Sequence, residues 1–296
     1  MVGRARRADL DPRALVAGLA PALADAPLRE LGEGFDNLAW AVGDRFCLRV
    51  SKDPDPGGRR RAVERDAALL ALAAAHVRLP TNEVVAANAD EGALLLTLLA
   101  GPTADLVRPT DAGRVATTLA RLVSDLAAVP LDAAAGLVVR DRPPAAWLAD
   151  TAAEWSVAAP LLPTGEREAV DRFLARPAPE ESARLVFSHN DLGDEHLVMA
   201  PDGRDVLGVI DWSDALLGDR ARDLALVALD LGPPMLDLVL ARLAPAPDPA
   251  LRERALWFAA RAGVEGVAYR ATHARPSLPV ARAALGRVLA ARDRTA

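Results

Sequence analysis

A chain of 296 residues, half of them apolar and 4% aromatic, can form one large domain or two lobes, and its Ala/Leu/Val bias favours helices packed on a modest sheet. The net charge of −6 and pI near 5.4 argue against a nucleic-acid binder, which would carry a basic face. The lone Cys47 excludes an internal disulfide framework or a Cys-based zinc cluster and fits a reducing cytoplasm, and no apolar run is long enough to span a membrane. The basic start reaches Asp9 and Asp11 before any apolar core, which speaks against a signal peptide.

Taken in chain order, an Ala/Leu-rich segment near 12–24 predicts a helix. Three strands follow: Leu28–Leu31, Leu38–Val42 and Phe46–Val50, the last two joined by a tight turn at Gly43-Asp44. A Pro/Gly loop at 53–58 leads to a helix over 59–75, where Val63, Ala67, Leu70 and Ala74 form one apolar stripe. Short strands are expected at Glu83–Ala86 and Ala93–Leu99, and Leu99-Ala100-Gly101-Pro102 breaks the pattern as a linker. Beyond 103 the periodicity is helical near 111–128, 145–158, 166–175, 219–231, 250–272 and 278–292. Strands at Leu185–Ser188, Leu197–Met199 and Leu207–Asp211 interrupt it. The expectation is an α+β chain: an N-terminal sheet lobe over 1–100 and a larger helical lobe over 101–296, meeting at a linker about 96–101. A cleft between lobes is a natural ligand site.

The chemistry concentrates in Phe187-Ser188-His189-Asn190-Asp191-Leu192-Gly193-Asp194-Glu195-His196 and in Val209-Ile210-Asp211-Trp212. An acid in a tight loop after an apolar run, a metal-ligand candidate five residues on, and a second acid closing the next apolar run form the layout of a kinase catalytic loop and metal-binding strand. Phosphoryl transfer needs one carboxylate to align a hydroxyl and metal ligands to pin the triphosphate in line. Where protein kinases place an Asn for the second metal, this chain has His196.

Three ordered words carry a family resemblance: His189-Asn190-Asp191-Leu192-Gly193, Ile210-Asp211-Trp212-Ser213-Asp214-Ala215, and Gly218-Asp219-Arg220-Ala221-Arg222-Asp223-Leu224-Ala225. With them the chain resembles the aminoglycoside phosphotransferase superfamily, small-molecule kinases of protein-kinase-like, two-lobed fold, from about Leu31 to Leu231. The resemblance implies that Asp191 is the catalytic acid, Asp211 the principal Mg²⁺ ligand, and Asp223 a buried acid bonding the catalytic loop. It implies that His189 braces that loop rather than moving a proton. His196 is similar to the macrolide phosphotransferase branch. A neutral imidazole there could ligate the metal or bond a water or phosphate oxygen in its shell, although Mg²⁺ prefers oxygen and the plain alternative is a bracing histidine.

In the N-terminal lobe, Gly32 and Gly34 sit in a strand-joining loop whose backbone N–H groups could approach phosphates, although most such loops are only turns. Arg49, between Leu48 and Val50, takes the place of the family's phosphate-binding strand cation; Lys52 falls in the loop and fits less well. Its helix partner is expected to be Asp66, which precedes Ala67-Ala68-Leu69-Leu70, with Glu64 as the other candidate. The linker Leu96-Thr97-Leu98-Leu99 is expected to receive the nucleotide base through backbone groups of Thr97, Leu98 and Leu99, which hides any choice between ATP and GTP. Asp194, Glu195 and Asp214 beside the catalytic loop, with Glu265 on a late helix, would attract amines. Trp147, Trp155, Trp257, Phe258 and Tyr269 could build an apolar trough, although core packing is expected for at least three of them.

The expectation is a cytoplasmic kinase moving the γ-phosphate of ATP or GTP, with Mg²⁺, to a hydroxyl of an antibiotic of aminoglycoside or macrolide type and so conferring resistance, in a monomer or homodimer without nucleic-acid or membrane partners. A metabolic kinase of an amino alcohol or sugar shares the same core, and a non-catalytic pseudokinase is the alternative of another class.

Overall fold

The computed structural model describes residues 4–7 and 9–294. They group into two units, Met1–Pro102 with Leu207–Ser213, and Thr103–Val206 with Asp214–Ala296.

The sheet unit begins with helix α1 (Pro12–Leu19), capped by the Asp11 carboxylate, which accepts from the N–H groups of Arg13 and Ala14. A short 3₁₀ turn over Pro21–Leu23 completes the segment expected to be helical through 24. Strands β1 (Leu28–Glu33), β2 (Asn37–Val42), β3 (Phe46–Ser51), β4 (Val84–Asn88) and β5 (Ala93–Thr97) form one antiparallel sheet ordered β1-β2-β3-β5-β4. Period-two alternation assigns the faces. Leu38, Trp40 and Val42 of β2, Leu48 and Val50 of β3, and Ala93 and Leu95 of β5 are buried in one cluster with Val16 of α1. Arg49, between Leu48 and Val50, therefore points to the other face, toward α2 (Pro56–His76).

The unit also takes in residues after the expected boundary. Asp211 was expected in the helical lobe, but the stretch 207–213 is held to the sheet unit by Val209 N–H to the Pro80 carbonyl at 3.0 Å and by Trp212 Nε1–H to Thr81 Oγ1 at 2.6 Å. Gly208 permits the approach: a Cβ there would lie 2.5 Å from Leu99 Cδ1 and 2.8 Å from the Pro80 carbonyl.

The helical unit contains α3 (Ala112–Ala128), α4 (Leu131–Ala134), α5 (Pro144–Ala158) and α6 (Thr164–Leu174). Strands β6 (Val186–Ser188) and β7 (Leu197–Met199) follow, and β8 (Val206–Val209) carries the chain out toward the sheet unit. After the return at Asp214 come β9 (Leu216–Gly218), α7 (Ala221–Leu226), α8 (Pro233–Leu240), α9 (Leu251–Thr272) and α10 (Leu278–Asp293). β6 pairs antiparallel with β9, Ser188 opposite Leu216. α9 is the central element: twelve of its residues are buried, and it packs on α5, α7 and α10.

Three differences from the sequence expectation have local causes. The predicted helix over 219–231 splits into α7 and a π-helical turn over Val227–Leu231, ending at Gly232 with φ 96°. α8 starts on Pro233-Pro234, which reads as a break but suits the first helical turn, where an N–H is unpaired anyway. β9 is only three residues long, too short to show a period.

Candidate functional site

In the helical unit, β6 delivers the chain to His189 through Asp191. Asp223 on α7 lies beneath this loop, fully buried, and accepts from Ser188 Oγ at 2.9 Å and from the Asn190 N–H at 3.0 Å. Burial pushes its carboxyl up to about 6, against the opposing pull of those hydrogen bonds. Asn190 takes φ 66°, a conformation that costs a non-glycine residue roughly 1 kcal/mol or more and persists only when its surroundings hold it. What holds it is the Asp223 bond on one side and Asn190 Nδ2–H to the Asp214 carbonyl at 3.1 Å on the other. The strain turns Asp191 out of the strand direction, leaving its side chain about one-third exposed.

Both histidines serve this loop. His189 is fully buried, and its Nδ1 accepts the Asp191 N–H at 3.3 Å. His196 Nδ1 lies 2.8 Å from the Asp191 backbone carbonyl, which can only accept, so Nδ1 carries the proton and the neutral ring has its lone pair on Nε2. The same Nδ1 is 3.4 Å from Asp191 Oδ2. Thus His196 braces Asp191 through Nδ1.

Asp194 and Glu195, expected to draw substrate, are placed elsewhere. They sit in a 3₁₀ turn over Asp194–His196, where Asp194 pairs with Arg108 Nη1 at 2.6 Å, and Glu195 is exposed. Neither lines the cavity beside Asp191; the turn directs Asp194 toward Arg108 and Asp230. Asp230 itself is pushed up to about 7 by burial and then by the charge of Asp194.

That cavity, about 240 Å³, is built within the helical unit. Asp191 and Asn190 of the loop, Asp214, Trp147 of α5, Arg222, Ala225 and Leu226 of α7, and Phe258, Arg261, Ala262 and Glu265 of α9 line it. The α7 and α9 residues follow i, i+3, i+4 spacing, so each helix gives one face to the cavity. Asp214 and Glu265 are present as expected, Glu265 bonded to Thr151 Oγ1 and to Arg261 Nη1. Of the five expected aromatics, Trp155, Trp257 and Phe258 are core residues. Trp147 and Phe258 wall the cavity, and Tyr269 stacks on His273 at 4.3 Å. The two arginines were missed, since in the sequence each is one charged position among others on a helical segment.

In the sheet unit, Arg49 Nη2 lies 3.1 Å from Asp66 Oδ2, both side chains nearly buried, whereas Glu64 is exposed on another face of α2. Arg49 Nη2 also donates to Ser213 Oγ at 3.0 Å and lies 3.6 Å from Asp211 Oδ1. With its amide oxygen turned toward the guanidinium, Asn37 accepts from the same nitrogen at 2.7 Å. Asp211 follows β8 with φ 63° and accepts from Ser213 Oγ at 2.5 Å; Arg65 Nη2 fixes the Ser213 carbonyl at 2.7 Å. Sequence reasoning missed Asn37, Arg65 and Ser213, which only tertiary folding brings to Arg49 and Asp211.

Gly32 is exposed within β1, opposite Ala39 after an irregularity in the pairing, and Gly34 lies on the β1–β2 turn with its N–H bonded to the Asn37 carbonyl, so the phosphate-cradling role expected of that Gly34 N–H is taken by the turn itself. Lys52 is buried under this turn, its ammonium on Glu33 Oε1 at 3.1 Å and the Gly34 carbonyl at 2.7 Å, so it shapes the loop. The linker differs from expectation. Thr97 N–H donates to the Glu83 carbonyl, Asn82 Nδ2 donates to the Thr97 carbonyl, and Leu98 N–H donates to the Arg45 carbonyl. An N–H has one proton to give, so a base edge would be met from the Leu98 carbonyl and from Leu99 onward, not by Thr97.

Among the described residues no three His, Cys, Asp or Glu side chains converge as a metal cage. Mg²⁺ in kinases takes one or two protein ligands and completes its shell with phosphates and water, and a single carboxylate such as that of Asp211 is oxygen chemistry of the kind it prefers. Burial raises the Cys47 thiol to about 11, which removes it from thiolate chemistry.

A sheet with a helix-paired strand arginine, followed by a helical unit with an acid on a strained, braced loop, defines the kinase-like class of folds. The solved structures agree. The GDP complex of wild-type aminoglycoside 2'-phosphotransferase-IIIa superimposes with a TM-score of 0.72 at 19% identity, covering 94% of this chain and 97% of that one. Macrolide 2'-phosphotransferase apoenzyme from Brachybacterium faecium gives 0.63 at 23% identity, covering 92% and 96%. The chain belongs to the phosphotransferase enzyme family, whose model matches residues 27–257. It is also 32% identical over 168 residues to viomycin phosphotransferase of Streptomyces vinaceus, a match spanning 55% of this chain and 58% of that protein.

Proposed function

We propose that this protein transfers the γ-phosphate of ATP or GTP to a hydroxyl of an antibiotic. Asp191 aligns the hydroxyl and accepts its proton, and its loop is held rigid by Asp223, His189 and His196. Asp211 would ligate Mg²⁺, which when bound neutralises charge on the phosphates, and the His196 imidazole is the other side chain with ligand chemistry. Arg49, fixed by Asp66, places a permanent cation for the phosphates. Asp214 and Glu265 face the acceptor in the cavity. A phosphate on the drug adds charge and bulk to a group that must fit its target, which is a route to resistance.

The observation that carries this proposal is the cavity that has Asp191 in its wall beside a dedicated bracing network, in a chain of the phosphotransferase family. The test is nucleotide consumption with ATP and with GTP against aminoglycosides, macrolides and tuberactinomycin-type peptides, with mass analysis of the drug. Phosphorylated drug, lost in Asp191→Ala, is expected. Turnover only on an amino alcohol or sugar would replace the antibiotic by a metabolic acceptor, and nucleotide binding without turnover on any acceptor would favour a pseudokinase.

A further inference from the structure

The acceptor cavity holds cationic side chains that no amine would pair with. Arg222 and Arg261 are both more than nine-tenths buried, and both line it. Arg261 is partly matched, donating from Nη1 to Glu265 Oε1. Arg222 is not: its Nε lies 3.2 Å from Asp141 Oδ2 without hydrogen-bond alignment, and its guanidinium makes no hydrogen bond among the described residues. Asp141 is meanwhile engaged by the Trp147 indole N–H at 2.8 Å. The guanidinium lies 5.0 Å from the ring centres of Trp147 and Phe258, which offsets part of its desolvation but matches none of its directional donors. Burial, and then the like charge of Arg261, pull its pKa down to about 10, so it remains a cation at neutral pH.

The one buried donor of Arg222 without a hydrogen bond is Nε, which faces the Asp141 carboxylate; the terminal nitrogens of this cavity-lining fork make no hydrogen bond among the described residues and are open to a ligand. Planar oxygen acceptors suit the fork, whereas an ammonium meets repulsion from two arginines. The same cavity presents the carboxylates of Asp214 and Glu265, which suit amines. Its polarity is therefore divided.

We infer that Arg222, seated against Trp147 and Phe258 and backed by Arg261, is a specificity-determining residue that binds a planar oxo group of the acceptor, a carboxylate or an amide or urea carbonyl. The acceptor then carries both an amine and a planar oxo group, rather than polar groups that are only amines and hydroxyls. This inference rests on the phosphotransferase reading of the cavity.

The test uses the full chain and three acceptor groups: polyamine–polyol drugs, amide- or urea-bearing amine drugs, and carboxylate-bearing amine compounds. Within the carbonyl groups, each acceptor is paired with an analogue reduced at the carbonyl. For the wild type, kcat/KM should favour the carbonyl-bearing member of a pair by about 10–100-fold, mostly through KM. The preferred group tells amide from carboxylate. Arg222→Gln and Arg222→Lys, checked for folding by melting temperature, should shrink that ratio toward one. Equal kcat/KM within the pairs for the wild type overturns the inference even if the variants fail to fold, as does a folded variant that keeps the ratio. Phosphorylation of no acceptor at all would instead overturn the reading on which the inference rests.

Discussion

Each unit buries an arginine, and the two are treated oppositely. Arg49 in the sheet unit is engaged by Asp66, Ser213 and Asn37 and lies near Asp211, so its position is set before any ligand arrives. Arg222 in the helical unit has aromatic faces and a misaligned carboxylate but no hydrogen bond among the described residues. The contrast matches two tasks. Phosphates are the same in every turnover, so a fixed cation suits them; an acceptor must be selected, and an incomplete donor set selects by what completes it.

Breaking the first half of the comparison should have the larger effect. Arg49→Met removes the fixed cation and leaves Asp66 nearly buried without its ion pair. We expect kcat/KM for the nucleotide to fall about 100-fold, near the value of a lost transition-state donor, and stability to fall by about 3 kcal/mol, read by steady-state kinetics and denaturant titration. Asp66→Asn should show a smaller loss in both, and equal activity in all three proteins would remove Arg49 from the phosphate site.

Next in size is His196→Asn. If the imidazole takes part in holding the metal, the apparent Mg²⁺ affinity should change by about 10-fold, and the activity lost as histidine protonates in mildly acid solution should disappear from the pH profile. Unchanged magnesium dependence and an unchanged profile would leave His196 as a brace alone.

The smallest effect concerns stability and pH. The Asp223 carboxyl is lifted from 3.8 to about 6 on folding, so the folded chain holds a proton that the unfolded chain has released. The stabilising contribution of the neutral form is complete below about pH 4 and is lost as pH rises through about 6. Against Asp223→Asn, whose amide oxygen can still accept from Ser188 and Asn190, the wild type should lose relative stability across that window. Parallel melting curves from pH 4 to 7 would contradict the shift.

The comparison also explains what could be read from the sequence. Arg49 was legible because strand alternation and two apolar neighbours fix its face, and Asp66 because it precedes the apolar run of a helix. Asp191, Asp211 and Asp223 were legible because loop, strand end and helix follow one another locally. Asp194 and Glu195 misled because nearness in sequence to Asp191 was taken for nearness in space, and a single 3₁₀ turn sends Asp194 to Arg108 and leaves Glu195 exposed outside the cavity wall. Thr97 misled because the sheet claims its N–H and the Asn82 side chain its carbonyl. Arg222 could not be read at all. Its meaning depends on Trp147, Phe258 and Asp141 arriving from distant segments, and helical spacing shows only that it shares a face with Ala225 and Leu226.

The central claim is that Asp191 directs the γ-phosphate onto an acceptor hydroxyl. Its most direct test follows the fate of a γ-labelled nucleotide in the presence of an antibiotic acceptor, for the wild type and for Asp191→Asn. The claim predicts label on a drug hydroxyl with the wild type and a loss of about 10²–10⁴-fold in the rate of labelling with the variant. Equal labelling by both proteins would contradict it.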